Sequence, residues 1–212
     1  MKPKHVLLAI TVGAIGAGCS NIERSRDLAN PAVPGKVLAV QVCAVCHGVD
    51  GNSTSPAFPR LAGQQPAYLV NQLKNFRAHG RSDPAGSEYM WGLSHNLTDG
   101  QIDDIAAYFS QQKVVAPNVP ADAALLAAGK EIFEKGVPAQ NVIACAACHG
   151  PKAQGIEAFP RLANQHADYI VKQLDVFQNT QGRPGTPMEF VTHPLTGDNK
   201  NAVAAYLQDF PN

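Results

Sequence analysis

The chain of 212 residues carries 17 basic and 17 acidic side chains, so its formal net charge at neutral pH is zero. This length accommodates one domain or two small ones. The lack of a basic excess argues against a nucleic-acid-binding protein, which concentrates lysine and arginine on its binding face.

The N-terminus predicts an export signal. Lys2 and Lys4 precede an apolar, small-residue run over residues 6–17, which has the length of a signal segment and is too short for a membrane span. We therefore predict a signal peptide at residues 1–18, a polar tether at residues 19–31, and export to the periplasm.

Cys19 stands directly after this run, and the other four cysteines of the chain belong to the two motifs described below. The string Ile15-Gly16-Ala17-Gly18-Cys19 resembles the bacterial lipoprotein box, whose cysteine is acylated, although Gly16 stands where leucine is usual. Acylation also accounts for an odd cysteine in an exported protein. We favour a lipid anchor at Cys19 that associates the protein with a membrane. The alternatives are ordinary cleavage nearby, which leaves a free thiol, and an uncleaved N-terminal anchor.

A first helix is expected from about Gly35 into the string Cys43-Ala44-Val45-Cys46-His47. Cys-x-x-Cys-His is the attachment signature of c-type haem: two thiols add to the porphyrin vinyl groups, and the histidine becomes the proximal iron ligand. The motif recurs as Cys145-Ala146-Ala147-Cys148-His149, which argues against chance or a simple redox Cys-x-x-Cys. We predict two haem c groups, each with its iron, bound covalently by Cys43, Cys46, Cys145 and Cys148 and ligated by His47 and His149.

The segment after each motif also recurs, as Phe58-Pro59-Arg60-Leu61-Ala62 and Phe159-Pro160-Arg161-Leu162-Ala163. The carbonyls of Pro59 and Pro160 are candidates to accept the ring N–H of the proximal histidine and so to fix its orientation. Arg60 and Arg161 are candidates to pair with haem propionates. A surface salt bridge is the alternative for each arginine.

A middle helix is predicted to begin at Pro66, because proline suits a first helical turn. Helical spacing places Tyr68, Leu69, Gln72, Leu73 and Phe76 on one face, and an equivalent helix holds Tyr169, Ile170, Gln173, Leu174 and Phe177. Gln64, just before the first of these helices, recurs as Gln165.

Each iron needs a second axial ligand or an open position. Besides the initiator, the chain has only Met90 and Met188, at matching places in the repeat and in predicted loops between the middle and last helices. A thioether stabilises ferrous iron, so we interpret both methionines as axial ligands. Core filling, the usual role of a lone methionine, is the alternative.

Four other histidines compete with these methionines as ligands: His79, His95, His166 and His193. We expect each of them to be an ordinary surface or hydrogen-bonded histidine. His166 occupies the place of Gln65 in the repeat, and His193 is left without a counterpart. Trp91 is expected near the haem edge, although the second half has Glu189 at that place.

The last helix of the first half should follow Thr98-Asp99-Gly100-Gln101, which fits a capping box. In the second half, a helix capped by Asp122 should break at Gly136-Val137-Pro138, and a final helix should run from about Asp198 to Phe210. No strand is expected. The repeat thus predicts an N-terminal domain at 32–113, a linker at 114–120 whose two prolines disfavour helix, and a C-terminal domain at 121–212.

On these motifs, residues 35–212 resemble the cytochrome c4 family, dihaem proteins built from two fused class I cytochrome c domains. The resemblance rests on the Cys-x-x-Cys-His-Gly strings, the Phe-Pro-Arg-Leu-Ala strings followed by Gln-x-x-x-Tyr, and the two methionines. It implies an all-α fold of two tandem class I cytochrome c-like domains, each wrapped around one covalently attached haem. It also implies His/Met ligation, and an electron carrier between quinol–cytochrome c reductase, or another dehydrogenase, and a terminal oxidase.

Two features depart from the family pattern: the lipid anchor, and the loop at 81–89 before Met90, which is longer than its counterpart at 182–187. Two other functions compete with the carrier. A dihaem redox enzyme is one: a peroxidase needs a displaceable iron ligand, and a thiosulfate dehydrogenase of the cysteine-ligated kind needs a spare cysteine near a haem, where Cys19 is the only spare. A dedicated cytochrome subunit of a membrane dehydrogenase or oxidase complex is the other. We expect redox protein partners, no nucleic acid and no enzymatic activity.

Overall fold

The computed structural model describes residues 25–83, 86–117, 119, 121–179, 183 and 186–211. The predicted signal peptide and Cys19 lie outside these ranges. Within them the fold is all-α, as predicted: only two isolated bridges form, Val137 with Val142 and Ile156 with Phe159, and no strand. No helix among the described residues has the length and apolar character needed to cross a membrane.

The helices of the first half are α1 Gly35–Leu38, α2 Ala44–His47, α3 Pro66–Arg77, α4 Ser87–Ser94 and α5 Asp99–Ser110. A π-helical turn, Ala39–Cys43, joins α1 to α2. The chain therefore enters the first Cys-x-x-Cys-His motif as one continuous helix, as the sequence predicts.

The helices of the second half are α6 Ala123–Lys135, α7 Ala146–His149, α8 Ala167–Gln178, α9 Met188–Thr192 and α10 Gly197–Gln208. Gly136 ends α6 with a φ of 75°, a left-handed conformation that favours glycine. A short 3₁₀ helix, Pro138–Gln140, follows before α7. The second motif is thus reached through an irregular segment, at the break that the sequence predicts.

Side-chain caps explain where the longer helices begin. Thr98 Oγ1 accepts the backbone N–H of Gln101 at 3.2 Å, and Gln101 Oε1 accepts that of Thr98 at 3.0 Å, which is the predicted capping box of α5. Thr196 and Asn199 form the same pair at the start of α10. Asp122 caps α6, as predicted, by accepting two backbone N–H groups at 3.0 Å.

Each half has its own apolar core, built where its first helix crosses its last helix, α1 with α5 and α6 with α10. In the first half, a Cβ on Gly35 would lie 2.3 Å from the carbonyl oxygen of Gln101. In the second half, a Cβ on Gly129 would lie 2.1 Å from that of Ala202. Glycine at both crossings therefore lets the two helix backbones come into contact, and the apolar core of each half packs around its crossing. The members with no exposed surface are Leu38, Ala39, Ile102 and Phe109 in the first half and Phe133, Ala153 and Ala204 in the second.

The structure corrects two sequence-based expectations. Met90 lies inside α4 and Met188 opens α9, whereas both were expected in loops. The hydroxyls of Ser94 and Thr192 donate to the carbonyls of these methionines, at 2.7 and 2.8 Å, which adds a bond to each helical turn. His193 does have a counterpart: it directly follows α9, as His95 directly follows α4.

Candidate haem sites

Each motif histidine is held by the backbone of the segment that follows it. His47 Nδ1 lies 2.9 Å from the carbonyl oxygen of Pro59, and His149 Nδ1 lies 2.9 Å from that of Pro160. A carbonyl only accepts, so Nδ1 carries the proton in both rings and Nε2 keeps its lone pair. Burial lowers the pKa of His47 and His149, against the opposing effect of the carbonyl. Both rings are therefore neutral imidazoles, the form that binds a metal.

An aromatic ring stands against each of these imidazoles. Phe58 meets His47 edge-on, with ring centroids 6.3 Å apart, and Phe159 meets His149 in the same way at 6.2 Å. Both phenylalanines belong to the recurring Phe-Pro-Arg-Leu-Ala strings, but their role was missed. Their recurrence directly before the two prolines was the signal that could have identified them.

The four motif cysteines are unpaired and partly buried. Burial raises the pKa of Cys43 and of Cys145 to about 11, so before haem attachment both side chains would be protonated thiols at neutral pH. Cys43 and Cys145 also pack against the apolar cores of their halves. This donor set suits covalent attachment of a porphyrin better than it suits a disulfide or a thiolate metal centre. No cluster of three or more histidine, cysteine, aspartate or glutamate side chains that could hold a metal ion occurs in the described part of the chain.

Arg60 and Arg161 are the clearest test of whether haem fits. Both Nε groups are buried and find no hydrogen-bond partner among the described residues. Neither arginine forms an ion pair in those ranges. Burial lowers the pKa of each guanidinium. A buried cation with an unsatisfied donor is costly unless an anion accompanies it, and a haem propionate is such an anion.

Met90 and Met188 are partly buried on α4 and α9, which pack against α3 and α8 respectively. The two methionines therefore occupy equivalent places in the two halves, each opposite the middle helix of its own half. Both methionines lie in helices instead of the predicted loops. Their places in the two halves still match, and the predicted role as axial ligands depends on that match.

Trp91, next to Met90, lies between two of the competing histidines. Its ring stacks on His79 at 4.7 Å and on His95 at 4.8 Å between centroids. All three side chains are exposed. The second half has Glu189 in place of Trp91, so this aromatic stack distinguishes the first half from the second. Stacking on Trp91 accounts for His79 and His95 without assigning either to an iron.

The two halves bind each other through reciprocal glutamines. Gln64 Oε1 accepts the backbone N–H of Arg161 at 2.6 Å, and Gln64 Nε2 donates to the carbonyl of Arg161 at 3.0 Å. Gln165 makes the same two bonds with the backbone of Arg60, at 2.8 and 3.0 Å. We call this pair of contacts the glutamine clasp. It brings Arg60 and Arg161 to one small cavity between the halves.

A second polar layer joins the middle helices. Arg81 pairs with Asp83 at 2.6 Å and donates to Gln72 and Gln173, and Arg183 donates to the same two glutamines. Burial alone would raise the pKa of Asp83, but hydrogen bonds from Arg81 hold it below its ordinary value. In the sequence, Gln72 and Gln173 are recognisable only as recurring residues of the repeat. Their recurrence on an otherwise apolar helix face was the signal of a buried polar contact.

His166 is the remaining competitor, and it lies buried between the halves. Its Nε2 is 2.9 Å from the carbonyl oxygen of Ser53 and 3.1 Å from the Ser53 hydroxyl. It is a hydrogen-bonded histidine, as expected, although its partner in the other half was not foreseen.

Comparison with known proteins follows the same duplication. Residues 32–113 and 126–210 each match the cytochrome c family. Cytochrome c4 of Azotobacter vinelandii is 35% identical over an aligned length of 219 residues, and the alignment covers 98% of this chain and 99% of that protein. The chain belongs to the cytochrome c4 family.

A solved cytochrome c4 supports the fold directly. The crystal structure of reduced recombinant cytochrome c4 from Pseudomonas stutzeri superposes with a TM-score of 0.74 at 38% identity, over 84% of this chain and 97% of that one. A "thiosulfate dehydrogenase electron acceptor" from Stutzerimonas stutzeri is 34% identical over 176 residues, covering 80% of this chain and 79% of that protein. As a cytochrome c4, the chain carries two covalently bound haem c groups and transfers electrons with redox protein partners.

Proposed function

We propose that the protein is a periplasmic electron carrier of a respiratory chain. It accepts electrons from quinol–cytochrome c reductase, or another dehydrogenase, and passes them to a terminal oxidase. Haem supplies an iron that takes up and releases one electron. The observation that carries the proposal is the equivalence of the two proximal sites, with the same imidazole-to-carbonyl distance of 2.9 Å in both halves. Two equivalent sites suit a relay better than a catalytic centre with a separate electron donor.

The proposed roles of the side chains follow from that equivalence. Cys43 and Cys46 hold the first haem, with His47 and Met90 as axial ligands. Cys145, Cys148, His149 and Met188 do the same for the second haem. Support for the methionines comes from their equivalent places on α4 and α9.

The residues around the ligands have proposed roles as well. Pro59 and Pro160 fix the proximal rings through their carbonyls. Arg60 and Arg161 pair with propionates through their buried Nε groups.

An electron carrier differs from the competing enzymes in that both axial positions of each haem iron are occupied by protein ligands. A dihaem peroxidase needs a displaceable ligand, and a cysteine-ligated thiosulfate dehydrogenase needs a thiol at an iron. The test is the absorption spectrum of the oxidised holoprotein together with turnover assays. We expect low-spin haem with the methionine–iron charge-transfer band in the far red, and no enzymatic turnover of peroxide or thiosulfate. High-spin haem, or turnover at enzymatic rates, would contradict the proposal.

A thiosulfate dehydrogenase is a second candidate electron donor, favoured by the similarity to the protein named for accepting electrons from that enzyme. Stopped-flow reduction distinguishes the donors. The oxidised holoprotein is mixed either with quinol–cytochrome c reductase and quinol, or with thiosulfate dehydrogenase and thiosulfate. Under the main proposal, the reductase reduces both haems faster. Faster reduction by thiosulfate dehydrogenase would instead identify the protein as an electron acceptor in thiosulfate oxidation.

We also propose that the lipid anchor at Cys19 holds the carrier at a membrane. The proposal rests on the lipoprotein-like string at the end of the apolar run. Mass spectrometry of the mature N-terminus tests it, with Cys19→Ser as the control. We expect an acylated N-terminal cysteine in the wild type and release of the Cys19→Ser variant into the soluble periplasmic fraction. An unmodified N-terminal residue other than Cys19 would exclude the anchor.

A further inference from the structure

The backbone that orients the first proximal histidine is bound by the other half of the molecule. Pro59, whose carbonyl binds His47, precedes Arg60, and the backbone N–H and carbonyl of Arg60 are both bound by Gln165. Gln165 Oε1 also accepts the backbone N–H of His166 at 3.1 Å. The start of α8 therefore holds the segment on which the orientation of His47 depends.

His166 extends this contact with an ionisable ring. The Ser53 hydroxyl donates to the carbonyl of Phe58 at 2.7 Å, which commits its proton. Both Ser53 atoms that face His166 Nε2, the carbonyl oxygen and the hydroxyl oxygen, must then accept. Nε2 therefore carries a hydrogen, and Nδ1 is the nitrogen that can take up a second proton.

A short chain of contacts leads from this ring to the proximal ligand. His166 binds Ser53, Ser53 binds the carbonyl of Phe58, and the Phe58 ring lies edge-on to His47. The next carbonyl along the chain, that of Pro59, is the one that accepts the His47 ring N–H. A charge that appears on His166 can therefore act on the first haem site through these bonds and across the buried interface.

The charges around His166 favour a neutral ring at neutral pH. Burial lowers its pKa, and the guanidinium of Arg60, which faces it from the first half, lowers it further. The Ser53 carbonyl and Asp168, on its own helix, act in the opposite direction. Among the described residues these are the groups that act on the ring, and together they hold its pKa below the ordinary histidine value.

The second haem site lacks this ionisable group. Its equivalent contact is made by Gln65, whose Nε2 donates to the carbonyls of Gln154 and Gly155 at 2.9 and 3.2 Å. An amide makes the same kind of bond but does not titrate. The substitution of histidine for glutamine is thus an asymmetry within an otherwise reciprocal contact.

We propose that His166 is a proton-linked positioning residue of the first haem, which takes up a proton as that haem is reduced and makes its potential depend on pH. At a pH between the His166 titration midpoints of the oxidised and the reduced protein, one electron would pass from the redox partner to the haem, and one proton would pass from solvent to Nδ1 of His166. The iron loses one unit of positive charge, and the imidazole gains one. On oxidation both leave, so the charge of the buried region is the same in the two states.

The sign of the effect follows from reciprocal linkage. An added electron favours a nearby positive charge, so the proton affinity of His166 is higher when the haem is reduced. Protonation then favours reduction to the same extent. The potential of the first haem therefore rises as pH falls through the titration of His166, and the second haem shows no such rise from Gln65.

The test is potentiometric titration of both haems in the holoprotein, from about pH 5 to about pH 8, where a histidine titrates. The matched variant is His166→Gln, because Gln65 already makes the equivalent bond in the other half. We expect the potential of the first haem to rise toward acid pH in the wild type and to lose that rise in His166→Gln. Propionates are unchanged by this substitution, so a full wild-type rise in His166→Gln overturns the proposal.

A second measurement needs no variant and covers the case in which His166→Gln does not fold. The His166 ring proton is followed by NMR against pH in the fully reduced and the fully oxidised wild type. We expect a higher titration midpoint in the reduced protein, and equal midpoints overturn the proposal. The inference rests on the proposed ligation by His47. That ligation is tested by the spectrum of the holoprotein, which does not depend on His166, so the two can fail separately.

Discussion

At the scale of single residues, the two methionine sites differ from the proximal sites in what holds them. His47 and His149 are fixed by carbonyls that come from a different segment of the same half. Met90 and Met188 depend instead on the turn they belong to, which a hydroxyl four residues later reinforces. The proximal side of each site is therefore set by tertiary contact, and the methionine side by local helix.

Replacing either methionine tests the ligation directly. In Met90→Ala the first iron loses its proposed thioether ligand, so its potential falls, because methionine ligation favours ferrous iron. The far-red band should drop to about half, since one of two methionine–iron bonds remains. Met188→Ala is the matched variant and should act on the other haem. Spectroscopy and potentiometry give both readings, and an unchanged band and potential in Met90→Ala would remove Met90 as a ligand.

At the scale of helices, the crossings of α1 with α5 and of α6 with α10 decide how each core closes. Gly129 sits where a Cβ would overlap the backbone of Ala202, with the Tyr206 Cβ 2.7 Å away. Backbone cannot move aside as a flexible side chain can, so α6 and α10 must separate to admit a methyl group. The contact is an obligatory close approach, which hydrophobic patterning does not reveal.

Gly129→Ala should therefore lower the free energy of unfolding of the holoprotein by about 1–3 kcal/mol, the usual cost of overpacking. Gly197→Ala is the control in the partner helix, because nothing lies within 4 Å of a Cβ there. It should change stability by less than about 0.5 kcal/mol. Denaturant unfolding measures both, and an equal effect of the two substitutions would show that the crossing tolerates a methyl group.

At the scale of the whole molecule, the glutamine clasp and the Arg81 layer make one polar interface between two apolar cores. The four bonds of the clasp satisfy the buried backbone groups of Arg60 and the partly buried backbone groups of Arg161. Those groups belong to the segments that orient the proximal histidines. The halves therefore stabilise each other at the points where their haem sites are built.

Removing the clasp should weaken both sites together. Gln64→Ala leaves the backbone N–H and carbonyl of Arg161 unpaired, at a cost of about 1–3 kcal/mol, and Gln165→Ala does the same for Arg60. With both substitutions, unfolding should separate into two transitions, because fewer polar contacts, among them the Arg81 layer and the His166 contact with Ser53, still couple the halves. Gln112→Ala, which removes only a bond to Tyr108 within one half, is the control. A single, unshifted transition in the double variant would mean that the clasp adds no stability.

The helices, their caps and the duplication could be predicted from the sequence, because each depends on the spacing of residues close together in the chain and that spacing recurs in both halves. Thr98 with Gln101 and Asp122 are examples of signals complete within a few residues. The helical setting of Met90 was missed, because both methionines lie between the predicted middle and last helices, and the short helix Ser87–Ser94 was not predicted there. The role of Gln64 was missed for a different reason. Its recurrence was visible in the sequence. Its partner, the backbone of Arg161, lies in the other half, and a local sequence pattern does not predict a contact between residues so far apart in the chain.

The clasp has a consequence for how the halves came to be joined. Each half contributes both the amide and the backbone segment that such an amide binds, so the contact is isologous, the type that relates the subunits of a twofold dimer. Geometry of this kind does not require the two partners to share a chain. The covalent connection acts by raising the effective concentration of one half around the other. Fusion also lets the two copies differ. His166 stands in the second half where the first half has Gln65, so an otherwise reciprocal contact has an ionisable group on one side only.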